Sequence, residues 1–119
     1  MFTKRKDYLE RGKRMDGMEL ISFQIISAVG TAKSMYVEAI QAAKKGDFEE
    51  ADRLMEEGAK VFVEGHHAHG SLIKQEASGE KVSFSLLLMH AEDQLMTTET
   101  FKIVAQEFIE LYRNQIEKK

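Results

Sequence analysis

The feature that most narrows the fold is a helical period sustained for about thirty residues at a time, in a chain that contains no proline. Proline ends or kinks helices, so its absence leaves glycine to punctuate the chain. Two glycine-centred breaks do so. At Lys44-Lys45-Gly46-Asp47 the lysines suit a last helical turn, Gly46 the left-handed position after it, and Asp47 the cap of the next helix. Glu50, three residues beyond Asp47, completes a capping-box pattern. The second break is Ala77-Ser78-Gly79-Glu80-Lys81, with Ser83 or Ser85 available as the next N-cap. These breaks predict helices over 16–45, 48–78 and 83–117.

Apolar spacing agrees. Ile21, Ile25, Ala28, Ala32, Met35, Ala39 and Ala42 step by fours and threes along the first helix. Ala51, Leu54, Gly58, Val61, Gly65, Ala68 and Leu72 do the same along the second, and Leu87, Ala91, Gln94, Thr98, Phe101, Ala105, Phe108 and Tyr112 along the third. Such seams belong to helices crossing at shallow angles. Short connections make sequence neighbours antiparallel. The expected fold is all-α: an antiparallel three-helix bundle with helices of about 45 Å at ~1.5 Å per residue. Gly58, Gly65 and Gly70 each cost up to about 1 kcal/mol in a helix. Close helix approach would offset that cost; a break near Gly65–Gly70 is the competing reading.

The third helix carries a second stripe, Leu86, Met89, Asp93, Met96, Thr100 and Ile103. A helix with two apolar stripes faces two sets of neighbours. One set is its own chain and the other a second copy, so an oligomer is expected.

With 119 residues the chain fits a single domain. The absence of cysteine excludes disulfides, a thiol nucleophile, Cys-ligated zinc and iron–sulfur clusters. Residues 1–15 carry six basic side chains against two acidic, leaving eleven basic against eighteen acidic in the rest. The first stretch lacks apolar periodicity and reads as a basic, disordered leader, with one domain over 16–119. An acidic body argues against nucleic acid as a partner, since phosphate neutralisation needs clustered Lys and Arg. No segment has the layout of a signal peptide. The run Leu86-Leu87-Leu88-Met89 is far short of the roughly 20 residues of a membrane span. A soluble, cytoplasmic protein is expected.

Two places invite chemistry. Asp93 stands within the second stripe between Met89 and Met96. A carboxylate there is either wet, or sits on a symmetry axis where copies converge and recruit a hard divalent cation. His90, one turn before, is either a packed histidine or a nucleophile, base or ligand. His66, His67 and His69 form a separate cluster. They read as an exposed or half-buried histidine face, as part of a metal site, or as polar support beside His90. A di-iron bundle needs two Glu-x-x-His motifs and the sequence offers Glu64 to His67 alone.

The stretch Leu86-Leu87-Leu88-Met89-His90-Ala91-Glu92-Asp93-Gln94-Leu95-Met96-Thr97 resembles the signature of the lactose/cellobiose enzyme IIA family of the bacterial phosphoenolpyruvate-dependent sugar phosphotransferase system. Ala43 to Ala51 is similar to that family's turn between helices one and two, and Glu64, His66, Leu72 and Ile73 fall on its second-helix pattern. The likeness covers roughly residues 18–115. It implies that His90 is transiently phosphorylated, taking the group from the phosphohistidine of HPr and passing it to a cysteine of enzyme IIB, which serves the membrane enzyme IIC in uptake of a β-linked disaccharide. It implies a homotrimer with Asp93 of each chain around a magnesium ion on the threefold axis. Gln94 stands where the family usually has histidine, His69 where it often has glutamine, and Gly70 where it often has threonine. Gln94 can still orient the imidazole or hydrogen-bond a phosphoryl oxygen, but it has no titratable proton. The rival function is a non-catalytic helical scaffold or regulator of the same fold.

Overall fold

In the computed structural model, residues 17–117 are described, and the basic leader expected at 1–15 lies outside them. Three helices account for most of the described chain: α1 (Gly17–Lys44), α2 (Phe48–Ala77) and α3 (Leu86–Glu117). The glycine breaks work as the sequence suggests. Gly46 takes φ +82°, its N–H donates to the Ala43 carbonyl at 3.0 Å, and the Asp47 N–H donates to the Ala42 carbonyl at 3.0 Å. That pair of bonds is the Schellman motif, which satisfies the last carbonyls of α1. The Asp47 carboxylate then accepts from the Glu50 N–H at 3.2 Å and starts α2. The capping box is half made, because Glu50 turns to Arg53 instead, whose Nε donates to it at 2.8 Å. Gly79, at φ +93°, closes α2 in the same way, through Gly79 N–H to Glu76 and Glu80 N–H to Gln75.

The competing break at Gly65–Gly70 does not occur; α2 runs through both. A Cβ on Gly58 would lie 2.6 Å from Cε1 of Tyr36, and one on Gly65 would lie 3.0 Å from Cγ1 of Val29. These two glycines let α2 approach α1. Gly70 faces open space, with nothing within 4 Å of an added Cβ.

The buried faces are rotated slightly from those expected. On α1, Ile25, Ala28, Ala32 and Ala39 are buried as expected, but Ser22, Val29, Tyr36 and Ala43 complete the seam; Ile21, Met35 and Ala42 lie at its margin. On α2, Phe62 is buried where Val61 was expected. On α3 the core face is Leu88, Ala91, Leu95, Thr98, Ala105 and Ile109, with Leu87, Gln94 and Phe101 beside it.

Helix α1 packs along both neighbours, while α2 and α3 touch each other sparsely. The result is a thin layer, 19 Å in its shortest dimension. Although α1 is long and apolar enough to cross a membrane by length and composition, it is the central helix of the bundle. One thin layer leaves much apolar surface uncovered, and α3 exposes most of it.

Candidate functional site

The site is built at the start of α3. The Ser85 hydroxyl accepts from the Leu88 N–H at 3.0 Å, and the Ser85 carbonyl accepts from the Met89 N–H at 3.0 Å. Ser85, one of the two expected caps, is therefore the residue that sets the first turn, and it fixes where the following side chains point. His90 lies one turn further on and is exposed. Among the described residues no side chain hydrogen-bonds to its ring.

Helical geometry arranges the neighbours. At about 100° per residue, Asp93 stands roughly 60° from His90 on one side and Gln94 roughly 40° on the other, while Glu92 points about 200° away. The core face, centred near Ala91 and Leu95, turns toward α1. Gln94 is half-buried at the edge of that face and makes no side-chain hydrogen bond to His90. Asp93 is exposed, in line with Leu86, Met89, Met96 and Ile103, which are 81%, 46%, 66% and 58% exposed. The second stripe read from the sequence is thus wholly unburied in one protomer. His90 sits on its flank, at the border between stripe and core.

The other histidines go elsewhere. His66 and His67 are exposed on α2, and Glu64 and His67 line an open groove between α1 and α2 together with Leu20 and Phe23. His69 is mostly buried, and its Nε2 lies 3.2 Å from Oε1 of Glu92. Of the three histidines, His66 and His67 form an exposed face and His69 alone reaches α3, on the flank opposite His90. Among the described residues no three His, Asp or Glu side chains converge within the protomer, which is the arrangement a bundle metal site would need. Asp93 supplies a single carboxylate, flanked by thioethers that are poor ligands for a hard cation.

Sequence reasoning did not find the His69–Glu92 contact. Its signal was available only after the pairing of α2 with α3 was known: the two residues lie nearly equidistant from the middle of the 78–85 connection, as antiparallel neighbours do.

The family model described as "PTS system, Lactose/Cellobiose specific IIA subunit" matches residues 20–113. The lichenan-specific phosphotransferase enzyme IIA component of Bacillus subtilis is 45% identical over 102 residues, 86% of this chain and 93% of that protein. The crystal structure of the cellobiose-specific enzyme IIA from Bacillus anthracis superimposes with a TM-score of 0.86 at 42% identity, covering 91% of this chain and 99% of that one. The IIA(Chitobiose) structure solved with HPr from the Escherichia coli phosphotransferase system gives a TM-score of 0.72 at 32% identity, over 82% and 95% of the two chains. A family match over nearly the whole helical body, joined to relatives well above 30% identity, shows that the chain belongs to the lactose/cellobiose-specific IIA subunits of the sugar phosphotransferase system, the phosphocarriers of that system.

Proposed function

We propose that His90 is the phosphoryl-carrying residue of this IIA subunit. The observation that carries the reading is an exposed imidazole, without a side-chain partner among the described residues, on the flank of an uncovered apolar stripe. A neutral ring nitrogen of His90 attacks the phosphorus of the phosphohistidine on HPr. The new N–P bond forms as the donor's N–P bond breaks, and the electron pair returns to the donor ring. Both rings keep the proton on their other nitrogen, so neither proton nor charge is stranded. In the second step a cysteine thiolate of enzyme IIB attacks the same phosphorus and His90 leaves as neutral imidazole. Phosphoryl transfer passes through a loose transition state, so the protein's task is to position the ring and stabilise charge. Two features assist. The phosphorylated ring would lie one turn from the N-terminal end of α3, where the helix dipole favours an anion. Leu87, half-buried on the core side of His90 and off the stripe, offers an apolar shoulder that limits attack by water. Gln94 is the candidate to hydrogen-bond a phosphoryl oxygen.

The IIA(Chitobiose) relative was solved with HPr, and that supports HPr as donor here. The functional unit is a cytoplasmic homotrimer in which the stripes of three copies meet, and the sugar is a β-linked disaccharide. Asp93 of each copy would then approach the axis. One carboxylate per chain does not hold a cation, but three together suit magnesium, an oxygen-seeking ion. When bound, magnesium would offset the mutual repulsion of these carboxylates.

Incubation with phosphoenolpyruvate, enzyme I and HPr should place one acid-labile phosphoryl group on each chain, and His90→Ala should take up none. Label retained in His90→Ala would refute the assignment.

A further inference from the structure

From the contact between His69 and Glu92 we infer a positioning device: His69 acts through Glu92 to fix the rotation of α3, and thereby the direction in which His90 faces. The inference deepens the reading of His90 as the phosphoryl carrier and rests on it for its activity arm.

Helix α3 is held firmly on one side only. Its core face packs along α1, with Ala91, Leu95 and Ala105 in the cluster that holds Ile25 and Val29, whereas its contact with α2 is sparse. Two side-chain polar links cross that sparse seam among the described residues. At the far end Arg113 Nη2 donates to Asp52 at 2.8 and 3.0 Å. At the site end His69 Nε2 and Glu92 Oε1 stand 3.2 Å apart. The two ends differ in wetness. The Arg113 and Asp52 side chains are 36% and 60% exposed, against 18% and 46% for His69 and Glu92. A hydrogen bond shielded by burial is a stronger restraint than one in open water.

The leverage follows from geometry. Glu92 lies about 200° around the helix from His90, so anchoring one fixes the other across the helix axis. A rotation of about 10° moves a group at the ~5–6 Å outer radius of a helix by about 1 Å. Misplacement of a reacting group by about 1 Å can cost on the order of a hundredfold in rate. The link need not be strong to matter, because α1 already fixes the helix coarsely.

The test uses the full chain with His69→Ala, His69→Gln, Glu92→Leu and the double variant His69→Ala/Glu92→Leu. Imidazole resonances of His90 are followed by NMR, and single-turnover phosphorylation by phospho-HPr is measured over a range of donor concentrations. The expected result is a shift of the His90 ring signals in His69→Ala and Glu92→Leu. The transfer rate should fall roughly tenfold, with half-saturation by phospho-HPr unchanged. The double variant should be no worse than either single one, as for two members of one link. His69→Gln, which can still donate to Glu92, should restore most of the rate. Unmoved His90 signals in both single variants, or losses that simply multiply in the double variant, would overturn the inference. If His69→Ala unfolds, the comparison of Glu92→Leu with His69→Gln decides in the same way. The ring signals need no phosphate, so a parent protein that takes up no label would sink the carrier assignment and leave the positioning device to be judged by NMR.

Discussion

Tyr36 shows how one side chain can dictate the residue opposite it. Its ring is fully buried and occupies the space that a Cβ on Gly58 would need. Gly58→Ala should therefore destabilise the protein by about 1–3 kcal/mol through overpacking, read as a lower midpoint in denaturant unfolding. Gly70→Ala meets nothing and should stabilise by up to about 1 kcal/mol. Equal effects would contradict the packing described. Among the described residues nothing hydrogen-bonds to the buried hydroxyl of Tyr36, nor to those of Ser22 and Thr98. Burial raises the Tyr36 pKa above its ordinary value of 10.0. Because the folded state holds this proton more tightly than the unfolded one, the stabilisation is complete below pH 10 and is lost as pH rises through the folded pKa. Tyr36→Phe should keep or slightly raise stability near neutrality, since it removes an unsatisfied polar group. It should also flatten the alkaline fall seen in melts across that range. An alkaline slope unchanged by the substitution would assign that slope to other groups.

At the scale of the helices, the ends were legible and the inward faces less so. Gly46, Asp47, Gly79 and Ser85 each carry a local backbone reason that short sequence patterns record, and the observed ends fall within a few residues of those expected. The start of α3 differs most, because Ser83 and Ser85 are equally good caps on paper and only Ser85 accepts the Leu88 N–H. Faces are set by tertiary packing. On α1 the seam runs through Ser22 and Tyr36, which hydropathy alone passes over in favour of Ile21 and Met35. On α3, Leu86-Leu87-Leu88-Met89 offers apolar side chains on every side, so periodicity could not say that Leu88 faces inward and Leu86 outward. His90 was legible as a candidate from its neighbours and became specific through the family likeness, while its link by way of Glu92 to His69 needed the helix pairing. Ser85→Ala should cost about 1 kcal/mol and speed amide exchange in the first turn of α3, ahead of the remainder of that helix. Uniform exchange along α3 would deny the cap its local role.

For the whole molecule, the thin layer sets how much apolar surface a single protomer leaves in water. The second stripe of α3, legible in the sequence from its spacing, remains uncovered from Leu86 to Ile103, and a trimer closing on it would remove that surface from water. Asp93 is then the single charge in an apolar contact. Asp93→Leu should give an assembly at least as stable as the parent and indifferent to chelators, since apolar packing often outdoes a buried charge; sedimentation with and without a chelator reads this. Dissociation of Asp93→Leu into monomers, with the parent remaining a trimer, would mean that the carboxylate holds the copies together. Nothing in that assembly matters functionally unless His90 carries the phosphoryl group. The most direct measurement is a phosphorus–proton correlation spectrum of the protein phosphorylated through HPr: a single phosphorus coupled to the ring protons of His90 is predicted, and coupling to the ring of His66, His67 or His69 would contradict the account.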